Sequence, residues 1–254
     1  MAGAALIALV AGAFTGSLIT VLAHRIPRGE RGWVSGRSRC PACGSTIAAY
    51  DNVPIVSWLV LRGRCRKCGE PISPRYPLTE AGLGALWAGT LLALGTDDAG
   101  ELVLGLVLCA VLVAITLTDL ELRIIPNAFV LAGAVAGVAI VLGFDLGDLG
   151  QRALAVAIAG GAFFLIALVY PRGMGMGDAK LVAMMAIYLG RSIAPAVLVG
   201  LIAGSVVGAA IIARHGAEGR KKTVPFGPFL ALGGVVGLWF GDDIVDWYLD
   251  TFTG

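Results

Sequence analysis

Long apolar stretches follow one another along most of the chain, and short polar connections separate them. Their apolar residues run continuously, without the alternation that a membrane β-strand would show. A helix crosses the hydrocarbon of a bilayer with about 20 apolar residues, and lipid admits only helices or closed barrels. The pattern predicts an all-α, polytopic membrane bundle of about eight spans, at roughly 3–24, 78–95, 101–118, 126–144, 153–171, 177–190, 192–213 and 224–240.

The composition supports this membrane class. Hydrophobic residues make up 57% of the chain and charged residues 14%, whereas a soluble domain carries about 25% charged residues. The first stretch lacks a basic start and a small-residue cleavage site, so we expect a retained helix rather than a signal peptide.

The charges in the connections predict the orientation. Basic residues concentrate in 25–75 and 213–222, whereas 96–101, 144–151 and 241–250 are acidic. Because Lys and Arg favour the cytoplasmic side, eight spans with both termini outside place every basic connection in the cytoplasm. We therefore predict a multi-pass membrane protein whose basic connections face the cytoplasm.

One polar segment is long enough to form a small domain. Two Cys-x-x-Cys pairs occur in it, Cys40 with Cys43 and Cys65 with Cys68, and four thiolates satisfy tetrahedral zinc. A loop with few large apolar residues gains folding energy from a structural metal. We predict a first transmembrane helix over 1–25, a cytoplasmic zinc-binding domain over 26–77, and a seven-helix membrane domain over 78–254.

Other interpretations of the cysteines and their surroundings remain open. The four thiols are also compatible with redox activity or with two disulfides, although a cytoplasmic location disfavours disulfides. Cys109 is expected to be a small buried apolar residue. Residues 50–63 predict an amphipathic segment on the lipid surface, and basic residues 62–67 favour anionic headgroups. We predict no nucleic-acid partner.

Two aspartates stand at span ends, where an ionisable residue indicates function by default. Asp119 lies where the third predicted span ends, and Asp178 lies where the sixth begins. The third span runs inward and the sixth outward, so the topology brings both to the cytoplasmic side at one depth. Two neighbouring carboxyl groups share a proton, and such a pair performs aspartic-protease chemistry.

Each aspartate also has a structural explanation. Asp178 is able to cap a helix, and Asp119 is able to pair with Arg123 four positions later. The glycines before Asp178, including Gly175 and Gly177, are expected to form an open loop where a peptide backbone approaches closely. Lys180 is either a cytoplasmic anchor or a group that acts on the pair or on the substrate.

Taken in order, these motifs resemble the type IV prepilin peptidases, membrane aspartic proteases with a Gly-Xaa-Gly-Asp motif. The similarity covers both cysteine pairs and the segments 16–27, 51–65, 72–80, 118–127, 173–181 and 225–234. The resemblance implies that Asp119 and Asp178 are the catalytic pair. It also implies cleavage of the basic leader from prepilins and pseudopilins, after a glycine, on the cytoplasmic side.

The resemblance implies a second activity as well. Many members methylate the new N-terminal amine with S-adenosylmethionine, and the cysteine-bearing domain is associated with that bifunctional form. No glycine-rich nucleotide loop is readable, so the residues that bind the methyl donor stay unassigned, as does the oligomeric state. The alternative function is a transporter that uses Asp119 and Asp178 as a proton or cation site, although such sites lie near the midplane. A zinc-anchored scaffold without catalysis is the other alternative.

Overall fold

A computed structural model describes residues 1–30, 38–144, 149–171, 173–219 and 224–252. Within these ranges the chain is almost entirely helical, with two isolated β-bridges. Its α-helices, numbered α1 to α10, are Ala2–Arg25, Val56–Val60, Arg75–Leu94, Ala99–Leu122, Asn127–Gly143, Leu149–Ala155, Gly161–Val169, Met176–Leu189, Ile193–Gly219 and Gly227–Phe252. The prediction of an all-α membrane bundle is therefore confirmed.

The predicted spans all coincide with helical segments, but their number as membrane crossings is not confirmed. Five stretches are long and apolar enough to cross, namely Ala2–Arg25, Ala99–Leu122, Leu149–Val169, Met176–Gly216 and Gly227–Phe252. Helix α5 is apolar but shorter. Helix α8 has 14 residues, or about 21 Å, which is less than the hydrocarbon thickness of about 30 Å. The predicted orientation depends on charged connections, and parts of three of them, 31–37, 145–148 and 220–223, lie outside the described residues.

Contacts group the chain into two compact units, Met1–Gly95 and Thr96–Gly254. In the first unit α3 packs along α1, and the loop that carries the four cysteines lies between them in sequence. The second unit contains α4 to α10. The division of the chain at 25/26 and 77/78 stays a prediction of domain organisation.

Close backbone packing joins α1 to α3. A Cβ atom added at Gly12 would lie 2.8 Å from the Cα of Gly84, and one added at Gly84 would lie 2.6 Å from the carbonyl oxygen of Leu9. Between membrane helices there is no hydrophobic driving force, so small residues that permit this approach supply the packing energy.

The second unit is built around α8. Its side chains Leu181, Val182, Met184 and Met185 are fully or almost fully buried, and α4, α5, α7 and α10 all pack against this helix. A short helix in the centre of the bundle thus carries Asp178 at its start.

A buried arginine fastens the other end of α8. The guanidinium of Arg152, in α6, donates to the carbonyl oxygens of Ile187 at 3.1 Å and Tyr188 at 2.5 Å. It also forms an ion pair with Glu101 in the first turn of α4. Because the last carbonyls of a helix have no partners within it, this contact stabilises the C-terminal end of α8.

Replacement of Gly84 by alanine tests the packing of α1 on α3. The added methyl group has no space, so we expect a loss of about 1–3 kcal/mol of unfolding free energy, measured as a lower thermal midpoint in detergent. Gly82→Ala is the matched control on the same helix, because nothing lies within 4 Å of its added Cβ. Equal midpoints for the two variants would contradict the close packing.

Candidate active site and metal centre

Asp119 lies in the last turn of α4 and is 5% exposed. Its Oδ2 atom accepts a hydrogen bond of 2.8 Å from the backbone N–H of Gly227, at the start of α10. A buried carboxylate is costly without such a donor. The α4 end and the α10 start are therefore joined through this side chain.

Asp178 lies in the first turn of α8 and is partly exposed. Its Oδ2 atom accepts the N–H of Gly175 at 3.2 Å, and its own N–H donates to the Gly175 carbonyl oxygen at 3.1 Å. The contact from the Gly175 N–H to the Asp178 side chain is the half of a capping box that the third helical residue contributes. The capping interpretation of Asp178 is thus correct, and one carboxylate oxygen remains for other contacts.

The fold brings the two aspartates together. Helix α4 packs against α8, and the carboxyl groups of Asp119 and Asp178 lie within the range of direct electrostatic interaction. The alternative pairing of Asp119 with Arg123 does not occur in the described structure. Arg123 is exposed and ends α4 in a left-handed conformation with φ of 55°. Two neighbouring carboxyl groups are able to share a proton, which is the arrangement that acid–base chemistry needs.

Gly175 and Gly177 lie just before Asp178, and their small size rather than a left-handed backbone explains them: Gly177 permits the close approach of a neighbouring segment. Gly175 has φ of −75°, a conformation that any residue adopts. A Cβ added at Gly177 would lie 3.1 Å from the Cβ of Ile125, in the connection after Asp119. Lys180 Nζ donates to Asn127 Oδ1 at 3.0 Å. These two contacts hold the segments that carry the aspartates against one another.

The sequence does not predict that Gly227 belongs to the site. The segment 225–234 matches the family pattern, yet its residues suggest no chemistry, and Gly227 is 108 positions from Asp119. A Cβ added at Gly227 would lie 2.8 Å from Asp119 Oδ2. Only the absence of any side chain indicates that another group approaches the backbone there.

In the first unit the four predicted cysteines converge. Their Sγ atoms all lie within 4.8 Å of one another, and those of Cys40 and Cys68 are 3.8 Å apart. Tetrahedral zinc with Zn–S bonds of about 2.3 Å separates its sulfur ligands by about 3.8 Å, so the cluster fits the metal. None of the four forms a disulfide. Cys109, in α4, is completely buried, as expected of a small apolar residue.

The two cysteine pairs adopt the same local structure. In each, the N–H of the glycine after the second cysteine donates to the carbonyl oxygen of the first, from Gly44 to Cys40 at 2.8 Å and from Gly69 to Cys65 at 2.9 Å. Both glycines have positive φ, 66° and 74°, which favours glycine. The repeated sequence Arg-Cys-x-x-Cys-Gly therefore encodes two equivalent metal-binding turns.

The cluster needs a cation to bring all four sulfurs to the thiolate form. Hydrogen bonds from the side chain and backbone of Ser45 lower the pKa of Cys43 to about 6. A backbone hydrogen bond from Glu70 lowers the pKa of Cys68, but desolvation and hydrogen bonds with the neighbouring thiols together raise it to about 12. Zinc supplies the opposing charge, since a coordinating thiol is deprotonated by the metal.

The predicted amphipathic segment contains a 3-10 turn, Ala49–Asn52, followed by the short helix α2. Its apolar side chains Val56, Leu59 and Val60 are exposed. Five helical residues are too few to cross a bilayer. The structure thus agrees with a surface segment rather than a ninth span.

Comparison with known proteins identifies the family. The description "Bacterial Peptidase A24 N-terminal domain" matches residues 10–94, and "Type IV leader peptidase family" matches residues 106–213. A "Prepilin leader peptidase/N-methyltransferase" of Burkholderia pseudomallei is 35% identical, over 92% of this chain and 84% of the relative. The chain belongs to the type IV leader peptidase family.

Other relatives in the family carry the same description. The protein of Aeromonas hydrophila is 35% identical over 93% of this chain and 91% of its own. That of Pseudomonas aeruginosa is 32% identical over 95% of this chain and 92% of its own. No solved structure matches the chain.

Substitution of a cluster cysteine tests the metal centre. We expect the purified protein to hold about one zinc per chain, and Cys65→Ser to hold almost none and to unfold at a lower temperature, because three ligands bind a structural zinc weakly. Metal analysis and thermal unfolding are the measurements. Cys109→Ala, outside the cluster, is expected to retain the zinc. Wild-type protein purified without zinc would contradict the assignment.

Proposed function

We propose that this protein is the leader peptidase of prepilin-like substrates and that Asp119 and Asp178 are its catalytic pair. The observation that carries the proposal is the meeting of two acidic side chains from distant segments, close enough for direct electrostatic interaction. The relatives described as prepilin leader peptidases, matched along most of their length, support the same activity. Neither the transporter nor the scaffold alternative is favoured by those relatives.

The chemistry follows from one shared proton. The ionised carboxylate accepts a proton from water, while the protonated one donates a hydrogen bond to the oxygen of the scissile carbonyl. The water oxygen then bonds to the carbonyl carbon, and the carbon–nitrogen bond breaks as the leaving nitrogen takes up a proton. The hydrogen bond from Gly227 keeps the Asp119 carboxylate in a fixed orientation during these steps.

The proposed substrate has a basic leader followed by an apolar helix. In the orientation favoured by the basic connections, both aspartates lie at the cytoplasmic side of the inner membrane. The apolar helix of a prepilin or pseudopilin then remains in the bilayer, and its leader reaches the pair from the cytoplasm. In this proposal the exposed apolar face of α2 lies on a lipid surface, with basic residues 62–67 beside anionic headgroups.

The second proposed activity is methylation of the new N-terminal amine, and the description of the relatives as N-methyltransferases supports it. S-adenosylmethionine supplies a methyl group bound to a positively charged sulfur. Zinc has a structural role in this proposal, because four cysteines close its coordination shell and leave no position for a substrate.

Asparagine at either aspartate tests the catalytic pair. We expect Asp119→Asn and Asp178→Asn each to lower cleavage of a prepilin-like substrate by at least about 10²-fold, because the amide neither accepts the proton of water nor shares one. Cleavage is measured in detergent with a substrate that keeps its leader, a Gly-Phe junction and its apolar helix. Asp243→Asn, on the exposed end of α10, is the control. Undiminished cleavage by both variants would refute the pair.

Alanine at Gly227 tests the orientation of Asp119. The added Cβ displaces the carboxylate, so we expect a decrease in kcat of at least about tenfold with little change in KM, since the substrate-binding surface remains. Steady-state cleavage kinetics are the measurement. Gly208→Ala, where nothing lies within 4 Å of the added Cβ, is expected to behave as the wild type. An unchanged kcat for Gly227→Ala would show that the contact is not needed.

A further inference from the structure

Two acidic residues in the described structure are more than nine-tenths buried. Asp119 is 5% exposed and belongs to the proposed protease pair, whereas Glu80 is 7% exposed and lies in the other compact unit. Peptide cleavage at Asp119 and Asp178 makes no use of Glu80. A buried carboxylate outside the protease site therefore requires its own explanation.

The surroundings of Glu80 are closely packed, and its side chain makes a specific hydrogen bond. It stands in the second turn of α3, where a Cβ added at Gly16 of α1 would lie 3.0 Å from the Glu80 Cα. Its Oε2 atom accepts the N–H of Ile55 at 2.7 Å. Ile55 has φ of 61°, a conformation that is rare for a β-branched residue. The carboxylate thus holds a strained turn in place.

The second carboxylate oxygen has no such partner. Oε1 of Glu80 is not among the buried, unsatisfied polar atoms of the described structure, and the hydrogen bond of the carboxylate to Ile55 is made through Oε2. No lysine or arginine of the described residues forms an ion pair with Glu80. Oε1 is therefore an accessible oxygen on an anchored carboxylate, which is able to pair with a cation that a ligand brings.

We propose that Glu80 binds the positively charged group of the methyl-transfer reaction. The inference rests on the proposed function, in which both reactants are cations before reaction: the sulfonium of S-adenosylmethionine and the ammonium of the new N-terminus. The ammonium first releases a proton; the amine nitrogen then forms a bond to the methyl carbon, and the carbon–sulfur bond breaks with its electron pair on sulfur. Glu80 would stabilise the cation before this exchange.

Glu80 and the protease aspartates lie in different matched regions. The description "Type IV leader peptidase family" covers residues 106–213, which include both aspartates, and "Bacterial Peptidase A24 N-terminal domain" covers residues 10–94, which include Glu80. The first unit contributes no group to the proposed cleavage. A binding site for the second reaction within Met1–Gly95 would give that unit a chemical role beside the structural zinc.

Glutamine at position 80 separates the charge from the structural contact. Its carboxamide oxygen still accepts the Ile55 N–H, and only the negative charge is removed. The full-length protein is titrated with S-adenosylmethionine and with S-adenosylhomocysteine, which lacks the positive charge on sulfur. If Glu80 faces the sulfonium, Glu80→Gln weakens binding of the first by about tenfold or more and leaves binding of the second unchanged.

A second arm detects recognition of the ammonium. In that case Glu80→Gln binds S-adenosylmethionine normally, but the KM for a processed peptide with a free N-terminus rises by about tenfold or more. Leader cleavage and zinc content are expected to stay at the wild-type level in both arms. Glu30→Gln, at an exposed glutamate of the same unit, is the matched control and should change neither quantity.

The inference is overturned if Glu80→Gln binds both nucleosides and methylates the peptide as the wild type does, because Glu80 then only supports the Ile55 turn. If the variant fails to fold, ligand binding by the wild-type protein tests the inference instead. Equal affinities for S-adenosylmethionine and S-adenosylhomocysteine, together with equal binding of free and N-acetylated peptide, would exclude cation recognition. Failure of the proposed function is seen separately, as wild-type protein that neither cleaves nor methylates.

Discussion

A carboxylate inside an apolar bundle needs a donor, and the Gly227 N–H meets this requirement for Asp119. The donor belongs to the first residue of α10, so the N-terminal end of this helix is held against the last turn of α4. Helix α8 packs against both and brings Asp178 to the same region. The proposed active site is therefore the point where three helix ends meet, and the packing of the second unit serves to keep them there.

Hydropathy and topology predict most of this arrangement. Apolar runs predict most of the helices within a few residues, although α10 continues to Phe252 through the acidic segment expected to be a tail. Alternating span directions bring Asp119 and Asp178 to one side. The contact of Gly227 is not predictable in the same way, because a backbone N–H leaves no mark on the sequence and its partner is 108 positions away. The number of crossings is also undetermined, since α8 is shorter than the hydrocarbon and α3 begins with polar residues that lower its hydropathy.

The two units obtain their order from different interactions. Large apolar side chains around α8 stabilise the second unit, whereas the first relies on glycine contacts between α1 and α3 and on a sulfur cluster that fits zinc. A loop with so few large apolar side chains gains its folding energy from a bound metal. The repeated Arg-Cys-x-x-Cys-Gly turns show how two short segments of similar sequence supply both halves of such a centre.

The position of Arg152 has a mechanical consequence. Its guanidinium donates hydrogen bonds to carbonyl oxygens at the C-terminal end of α8. Asp178 lies at the opposite end of the same helix. Because α8 is held at its C-terminal end, a tilt of this helix would displace its N-terminal end most, and Asp178 lies there. A small rotation of α8 about its contact with Arg152 would therefore change the separation of the two carboxylates more than it would move the rest of the helix.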